Sequence, residues 1–383
     1  MSCSVLKATT TFFLSFIFLL QTTGQSTQSE ECISNILQQS AVAGISVAVV
    51  KNNKIIYSHS FGSKNIETNT QLTNDCLFRI ASISKSFSAT AIMQLVEAKK
   101  LFLEDDISNL VGFEIRNPRF PETIITLRMV MSHRSSINDR QGYFTFDAIN
   151  PDKNKDWAKC YNDYEPGTDY QYCNLNYNMV GTIIEKISGE RFDQYVKHHI
   201  LDPLKLYGGY CVDSLDKSRF ATLYEYNDSL KKFIAAPAAY APRSQEIKNY
   251  TMGYSTPIFS PTGGMKISAP DLAAYMIMHM RQGKYKGKKI ISKESARQMQ
   301  TKLSDEEGYG LAIMTTEKLI PGKTMKGHTG SAYGLYSAMF FNPKEKFGIV
   351  VISNGCHPSY TGGFNTVIRK TVNCLYERFI YSK

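Results

Sequence analysis

Residues 43–62, "AGISVAVVKNNKIIYSHSFG", place two runs rich in β-branched residues on either side of Lys51-Asn52-Asn53-Lys54, the pattern of a β-hairpin. Near the other end of the chain, residues 337–354, "SAMFFNPKEKFGIVVISN", repeat it around Asn342-Pro343-Lys344-Glu345. Helical periodicity flanks the hairpins, over residues 28–41 and about 363–380. Strands at both ends of a chain with a long middle predict one sheet assembled from the two termini. That middle mixes helical segments such as "LRMVMSH" (127–133) and "NYNMVGTIIEKISG" (176–189) with turn-rich stretches. The expected fold class is α+β, an α/β sandwich in which an antiparallel sheet is flanked by helices. A single domain over 25–383 is expected, with a sheet lobe over about 25–103 and 266–383 and an inserted helical lobe over about 104–265.

The 383 residues, 43% hydrophobic and 12% aromatic, suffice for a sizeable core and exclude a disordered chain. Residues 1–24 have the three-part shape of a secretory signal: Lys7, an apolar run from Phe12 to Leu20, then the small residues Thr22 and Gly24 before a cut. The run is too short to span a bilayer, so a secreted or periplasmic protein is expected, with no stable membrane span after cleavage. With Cys3 lost, Cys32, Cys76, Cys160, Cys173, Cys211, Cys356 and Cys374 remain. An odd count leaves at least one free thiol or an intermolecular bond, and spacing does not set the pairing. Cys-x-x-Cys is absent, which argues against a zinc knuckle or a redox dithiol. The net charge of +10 is spread along the chain, and the cluster "GKYKGKK" (283–289) reads as a solvated turn rather than a nucleic-acid stripe. Sequons begin at Asn227 and Asn249, usable only on a eukaryotic secretory route.

Chemistry gathers at three places. In "RIASISKSFSATAIMQLVEAKK" (79–100), Ser82 stands where a strand-like segment gives way to a helix, and Lys85, three residues on, shares its face. A serine hydroxyl needs a neighbouring base, which a desolvated lysine supplies, and free N–H groups at a helix start can receive an oxyanion. The same spacing recurs at Ser4-Lys7, Ser214-Lys217 and Ser229-Lys232, so Ser82 gains weight only from its company. That company begins with "EPGTDYQYCNLNYNMVG" (165–181), where alternation points Tyr172 and Asn174 one way and Cys173 the other. A nearby ammonium is expected to lower the Tyr172 phenol so that it shuttles protons, while the Asn174 carboxamide offers a donor and an acceptor to a substrate amide. In "KGHTGSAYG" (326–334), Gly330 lets a substrate backbone approach the strand and Ser331 offers an oxyanion N–H. His328 and Thr329 are candidates to bind a ligand carboxylate or carbonyl.

The ordered set Ser-x-x-Lys, Tyr-x-Asn, His-Thr-Gly resembles the serine β-lactamase and penicillin-recognising DD-peptidase superfamily, and within it the class C β-lactamases and the peptidases and esterases built like them. "LRMVMSHRSSI" (127–137) is similar to the family's Leu-Leu-x-His-x-Ser-Gly segment, "EPGTDYQYCN" to its Pro-Gly-Thr lead-in, "PTGGMKISAPDLAAYM" (261–276) to its Gly-Gly-x-x-Ser-x-x-Asp-Leu stretch and "GYGLAI" (308–313) to its late strand. The resemblance implies Ser82 as the acylated nucleophile, Lys85 as its activating partner, Tyr172 as proton shuttle and Asn174 as the group that orients the substrate amide. It further implies His328, Thr329 and Gly330 on the substrate's carboxylate side, and the N–H groups of Ser82 and Ser331 as the oxyanion hole. No cofactor is implied and no metal; the adjacent His198 and His199 are expected on different helix faces, a poor chelate. Two departures stand out: Ser136 replaces the usual glycine, and His328 stands where many β-lactamases carry lysine and holds an anion less firmly. The implied substrate is a small molecule or peptide carrying a D-amino acid, with class C-like β-lactamase and short-chain esterase activity as alternatives. A non-catalytic binding or regulatory homologue is the alternative of another kind.

Overall fold

The apolar run from Ile45 to Val50 lacks a solvent face because both sides of its strand are covered. In the computed structural model, which describes residues 30–381, a helix over 30–39 (α1) leads into β1 (Val42–Lys51), β2 (Lys54–Asn65), β3 (Thr70–Gln71), β4 (Phe78–Arg79) and α2 (Ser84–Glu97). A middle dominated by short turns contains α3 (Asn174–Ser188). Then follow β5 (Lys266–Ile267), α4 (Ala269–Met280), β6 (Met314–Thr316), β7 (Met325–Ala332), β8 (Leu335–Asn342), β9 (Phe347–Cys356) and α5 (Thr366–Leu375). The expected signal over 1–24 lies outside the described residues.

Among the described residues the main sheet has seven strands in the order β6-β7-β8-β9-β1-β2-β3, and every neighbouring pair is antiparallel. The two ends of the chain meet where β1 pairs with β9, Val47 opposite Val351. At the β1–β2 turn Asn52 and Asn53 both take positive φ, 52° and 62°, the backbone a tight hairpin needs to follow strand twist. On one face Ile45, Val47 and Val49 pack under Ile33 of α1 and Val372 of α5. On the other, Ala48 and Val50 pack under Leu272 and Met276 of α4 and Phe87 of α2. Each such large side chain contributes about 1.5–3 kcal/mol of transfer free energy, which makes the helix–sheet–helix sandwich the stable arrangement.

A disulfide between Cys32 and Cys374 ties α1 to α5 across the covered face, and Cys76, Cys160, Cys173, Cys211 and Cys356 are buried and free. The lysines of 284–289 sit in a small exposed hairpin, as expected. Two sequence expectations change. "GYGLAI" forms only an isolated bridge at Tyr309, and the strand proper begins at Met314. His198 and His199 do not diverge: a π-helical turn over Lys197–Leu201 aims both rings at one carboxylate, with His198 Nδ1 2.5 Å and His199 Nε2 2.9 Å from the two oxygens of Glu190.

Candidate active site

From residue 81 to residue 93 every side chain is buried except Ser82. It lies in a single 3₁₀ turn, Ala81–Ile83, ahead of α2, so it precedes the helix rather than capping it. Ala81 takes φ 50°, a left-handed backbone unfavourable for a residue with a Cβ, and this bend lifts Ser82 out of the core. β7 braces the bend. A Cβ added at Gly330 would stand 2.2 Å from the Ile80 carbonyl, which Ser337 Oγ also meets at 3.1 Å. Gly330 is thus needed for the close approach of the turn that carries Ser82.

Lys85 is fully buried, and its Nζ has three partners: Ser82 Oγ at 3.1 Å, Asn174 Oδ1 at 2.9 Å and the Thr262 carbonyl at 3.1 Å. Burial pulls its pKa down to about 7, against the opposing pull of Asp139 and then Cys173. The Thr262 carbonyl can only accept. Asn174 is made to present its oxygen, because its Nδ2 donates to Asp139 Oδ2 at 2.9 Å and its Oδ1 also accepts from Thr262 Oγ1 at 2.8 Å. A neutral amine has two N–H bonds and one lone pair. As the ammonium, Lys85 donates to all three partners; as the neutral amine, with its N–H bonds given to the two acceptors, it has its lone pair left for the Ser82 hydroxyl. The Asn174 oxygen is thus committed inside the protein, while its Nδ2 keeps a second N–H and the half-buried side chain also lines a cavity beside Ser82.

Asp139 went unnoticed in the sequence. Its carboxylate accepts from the N–H groups of Asn174 and Leu175, at 2.9 Å each, and from Cys173 Sγ at 3.2 Å, so it charges the start of α3, which has no side-chain cap of its own. The missing cap was the available signal, but the acceptor comes from a loop 34 residues before Cys173. As alternation predicted, Cys173 points away from the cluster's front while Tyr172 and Asn174 converge on Lys85.

The Tyr172 ring lies 4.6 Å from Lys85 Nζ, and its hydroxyl pairs with Ser82. Burial raises the phenol's pKa above its ordinary value, the opposite of the expected lowering, so Tyr172 rests as a proton donor. His328 is 3% exposed, with Nε2 3.0 Å from Tyr309 Oη and Nδ1 2.5 Å from the Thr329 carbonyl. Both ring nitrogens are engaged, and burial holds its pKa down at about 3, so it presents a neutral ring to the cavity and no free N–H to a carboxylate. Thr329 and Ser331 lie on the outward side of β7, beyond the stretch that β6 pairs. Ser136 keeps the turn of the glycine it replaces: it takes φ 59° and its Oγ accepts from Asn117 Nδ2 at 2.9 Å.

Ser82, Tyr172 and Ser331 line two cavities. One of about 730 Å³ runs past Thr329 and Tyr309 to an acidic rim of Asp305, Glu306, Glu307 and Glu317. The other, of about 470 Å³, runs past Asn174, Tyr143 and Arg79. The Beta-lactamase family profile matches residues 30–371. The chain belongs to the Beta-lactamase family. Its relatives include "Protein flp" of Staphylococcus aureus (strain MW2), 23% identical over 340 residues that cover 85% of this chain. The chain spans 62% of that relative's length. Among solved structures, the octameric penicillin-binding protein homologue from Pyrococcus abyssi superposes with a TM-score of 0.72 at 26% identity, over 93% of this chain and 80% of that one. A D-amino acid amidase from Ochrobactrum anthropi SV3, complexed with D-phenylalanine, shares the fold at 18% identity and a TM-score of 0.72, covering 94% of this chain and 100% of its own. This Beta-lactamase family member therefore has the antiparallel sheet and flanking helices that its hairpins predicted.

Proposed function

We propose that this protein is a serine hydrolase that opens small amides or esters through an acyl-enzyme on Ser82, with amides and short peptides of D-amino acids as its substrates. The observation that carries this is the buried Lys85 amine, whose Nζ lies 3.1 Å from Ser82 Oγ while Asn174 Oδ1 and the Thr262 carbonyl accept from it. Lys85 takes the Ser82 proton as Oγ attacks the carbonyl carbon, and the N–H groups of Ser82 and Ser331 receive the developing oxyanion. The phenol of Tyr172 passes a proton to the departing amine or alkoxide and is reprotonated from Lys85. Water then enters by the reverse path: its proton goes to the Lys85 amine, the hydroxide bonds to the acyl carbon and expels Ser82 Oγ, and Lys85 returns the proton to Oγ as the acid leaves. His328, held neutral, itself offers no cation to a β-lactam carboxylate, which favours amides and esters. Export from the cytoplasm is part of the same proposal, supported by the signal-like sequence pattern over 1–24 and by the Cys32–Cys374 disulfide. Among the described residues no helix is long and apolar enough to cross a membrane.

A fluorophosphonate probe tests the assignment: wild type should be labelled on Ser82 and Ser82→Ala should not. A panel of D-amino-acid amides, D-Ala-D-Ala peptides, nitrocefin and p-nitrophenyl esters then ranks substrates. Equal labelling, or turnover that survives in Ser82→Ala, removes the mechanism.

A further inference from the structure

Arg79 is 7% exposed, and no carboxylate among the described residues pairs with it. Its Nε donates to the Gly263 carbonyl at 3.1 Å, its Nη1 to the Ala239 carbonyl at 3.2 Å, and its Cζ lies 5.0 Å from the Tyr333 ring centre. Neutral carbonyls and a ring orient a guanidinium without neutralising it, and a guanidinium stays charged at any ordinary pH. Across the β4–β5 pair its direct neighbour is Lys266, another buried cationic side chain, 3% exposed, whose Nζ donates to the Tyr210 carbonyl at 2.6 Å. Like charges opposite one another oppose the pairing, and a buried cation without an anion costs several kcal/mol. Lys266 yields by losing its proton readily, driven well below its ordinary value by burial and then by Arg79. Arg79 has no such release, and it lines the cavity of about 470 Å³ that Ser82, Tyr172 and Asn174 also line. One acid, the exposed Glu225, borders this cavity, whereas four acids line the larger one, offset in part by Lys302 and Lys318.

We infer that this cavity is a carboxylate-binding subsite in which Arg79 pairs with an anionic group of the substrate, on the side of Ser82 away from the acidic rim. Arg79 thus supplies the anchor that His328 cannot, from a different wall of the site. This rests on Ser82 being the nucleophile, and it sets which acyl compounds that serine accepts. The carboxylate can belong to the acyl part or to the leaving group, and paired esters separate the two. Mono-p-nitrophenyl glutarate against p-nitrophenyl butyrate places it on the acyl side; 4-carboxyphenyl butyrate against phenyl butyrate places it on the leaving group. In wild type one anionic ester of the two should be preferred over its neutral partner by about tenfold or more in kcat/KM. Arg79→Gln should erase that ratio and Arg79→Lys should retain part of it, with the neutral ester as internal reference in each variant. If Arg79→Gln does not fold, inhibition of neutral-ester turnover by free glutarate in wild type replaces it. Neither ratio above one, a ratio unmoved in Arg79→Gln, or no competition by glutarate where that arm is needed overturns the subsite. Fluorophosphonate labelling that is equal in wild type and Ser82→Ala would instead overturn the nucleophile, a separate outcome.

Discussion

Replacing Asp139 by asparagine tests the claim that the Lys85 lone pair is aimed by a chain of hydrogen bonds. One carboxylate oxygen of Asp139 accepts from the N–H and the Nδ2 of Asn174, and the other from the N–H of Leu175 and from Cys173 Sγ. An amide has one oxygen, so Asp139→Asn loses the acceptances of one of these two positions and sets an NH₂ against donors there. Hydrogen bonds to a charged group contribute about 1.5–3 kcal/mol each, so releasing the Asn174 amide costs on that order in positioning. The Asn174 amide is then free to flip, after which its NH₂ faces Lys85, claims the lone pair and leaves Ser82 without a base. The rate of acylation should fall about 10- to 100-fold, the kinetic equivalent of about 1.4–2.8 kcal/mol. Asp139 also opposes the burial of Lys85, so its removal should move the midpoint of the pH–rate curve below about 7. The assay is the second-order rate of fluorophosphonate labelling from pH 5 to 9, with near-ultraviolet circular dichroism to confirm packing. A folded Asp139→Asn protein with unchanged plateau and midpoint would refute the lone-pair chain.

In wild type, acylation should rise with pH through about 7 as Lys85 loses its proton, and Lys85→Arg, which cannot deprotonate, should show no labelling at any pH in that range. Gly330→Ala should slow labelling and lower Tm, because the added Cβ meets the Ile80 carbonyl at 2.2 Å and must push back the turn that carries Ser82; a cost of about 2 kcal/mol or more is expected. Burial depresses His279 and His328 to about 3. Between that value and the ordinary 6.5 the unfolded chain binds protons that the native state refuses, so stability is fully present above about pH 6.5 and declines as pH falls. The loss should approach about 1.4 kcal/mol per imidazole for each pH unit well below 6.5, read by urea denaturation at pH 7, 6 and 5, and a flat profile would contradict it.

The strands were legible because hairpins are local. The apolar runs and the Asn52-Asn53 turn lie within a few residues of one another, and alternation alone turned Tyr172 and Asn174 together and Cys173 away. The late strand was misplaced, since "GYGLAI" has the composition of a strand but forms only one isolated bridge, and the strand begins at Met314. His198 and His199 converge on Glu190 because a π-helical turn changes the angle between adjacent side chains, and composition carries no mark of that.

What the sequence determined by itself was the kind of sheet and the nearness of Ser82 to Lys85, since a spacing of three at a helix start brings a hydroxyl and an amine to 3.1 Å, while the Tyr-x-Asn and His-Thr-Gly segments singled this pair out from three others of equal spacing. What the tertiary structure decided was everything that depends on environment. Lys85 is brought to a pKa of about 7 and held beside Ser82 only because segments carrying Asp139, Asn174 and Thr262 enclose it. Tyr172 is kept protonated and His328 neutral by the surroundings that desolvate them, and among the described residues Arg79 is left a cation without an anion by residues far apart in the chain. Protonation and charge balance are set by burial and by neighbours from distant segments, so they emerge only once the chain has folded.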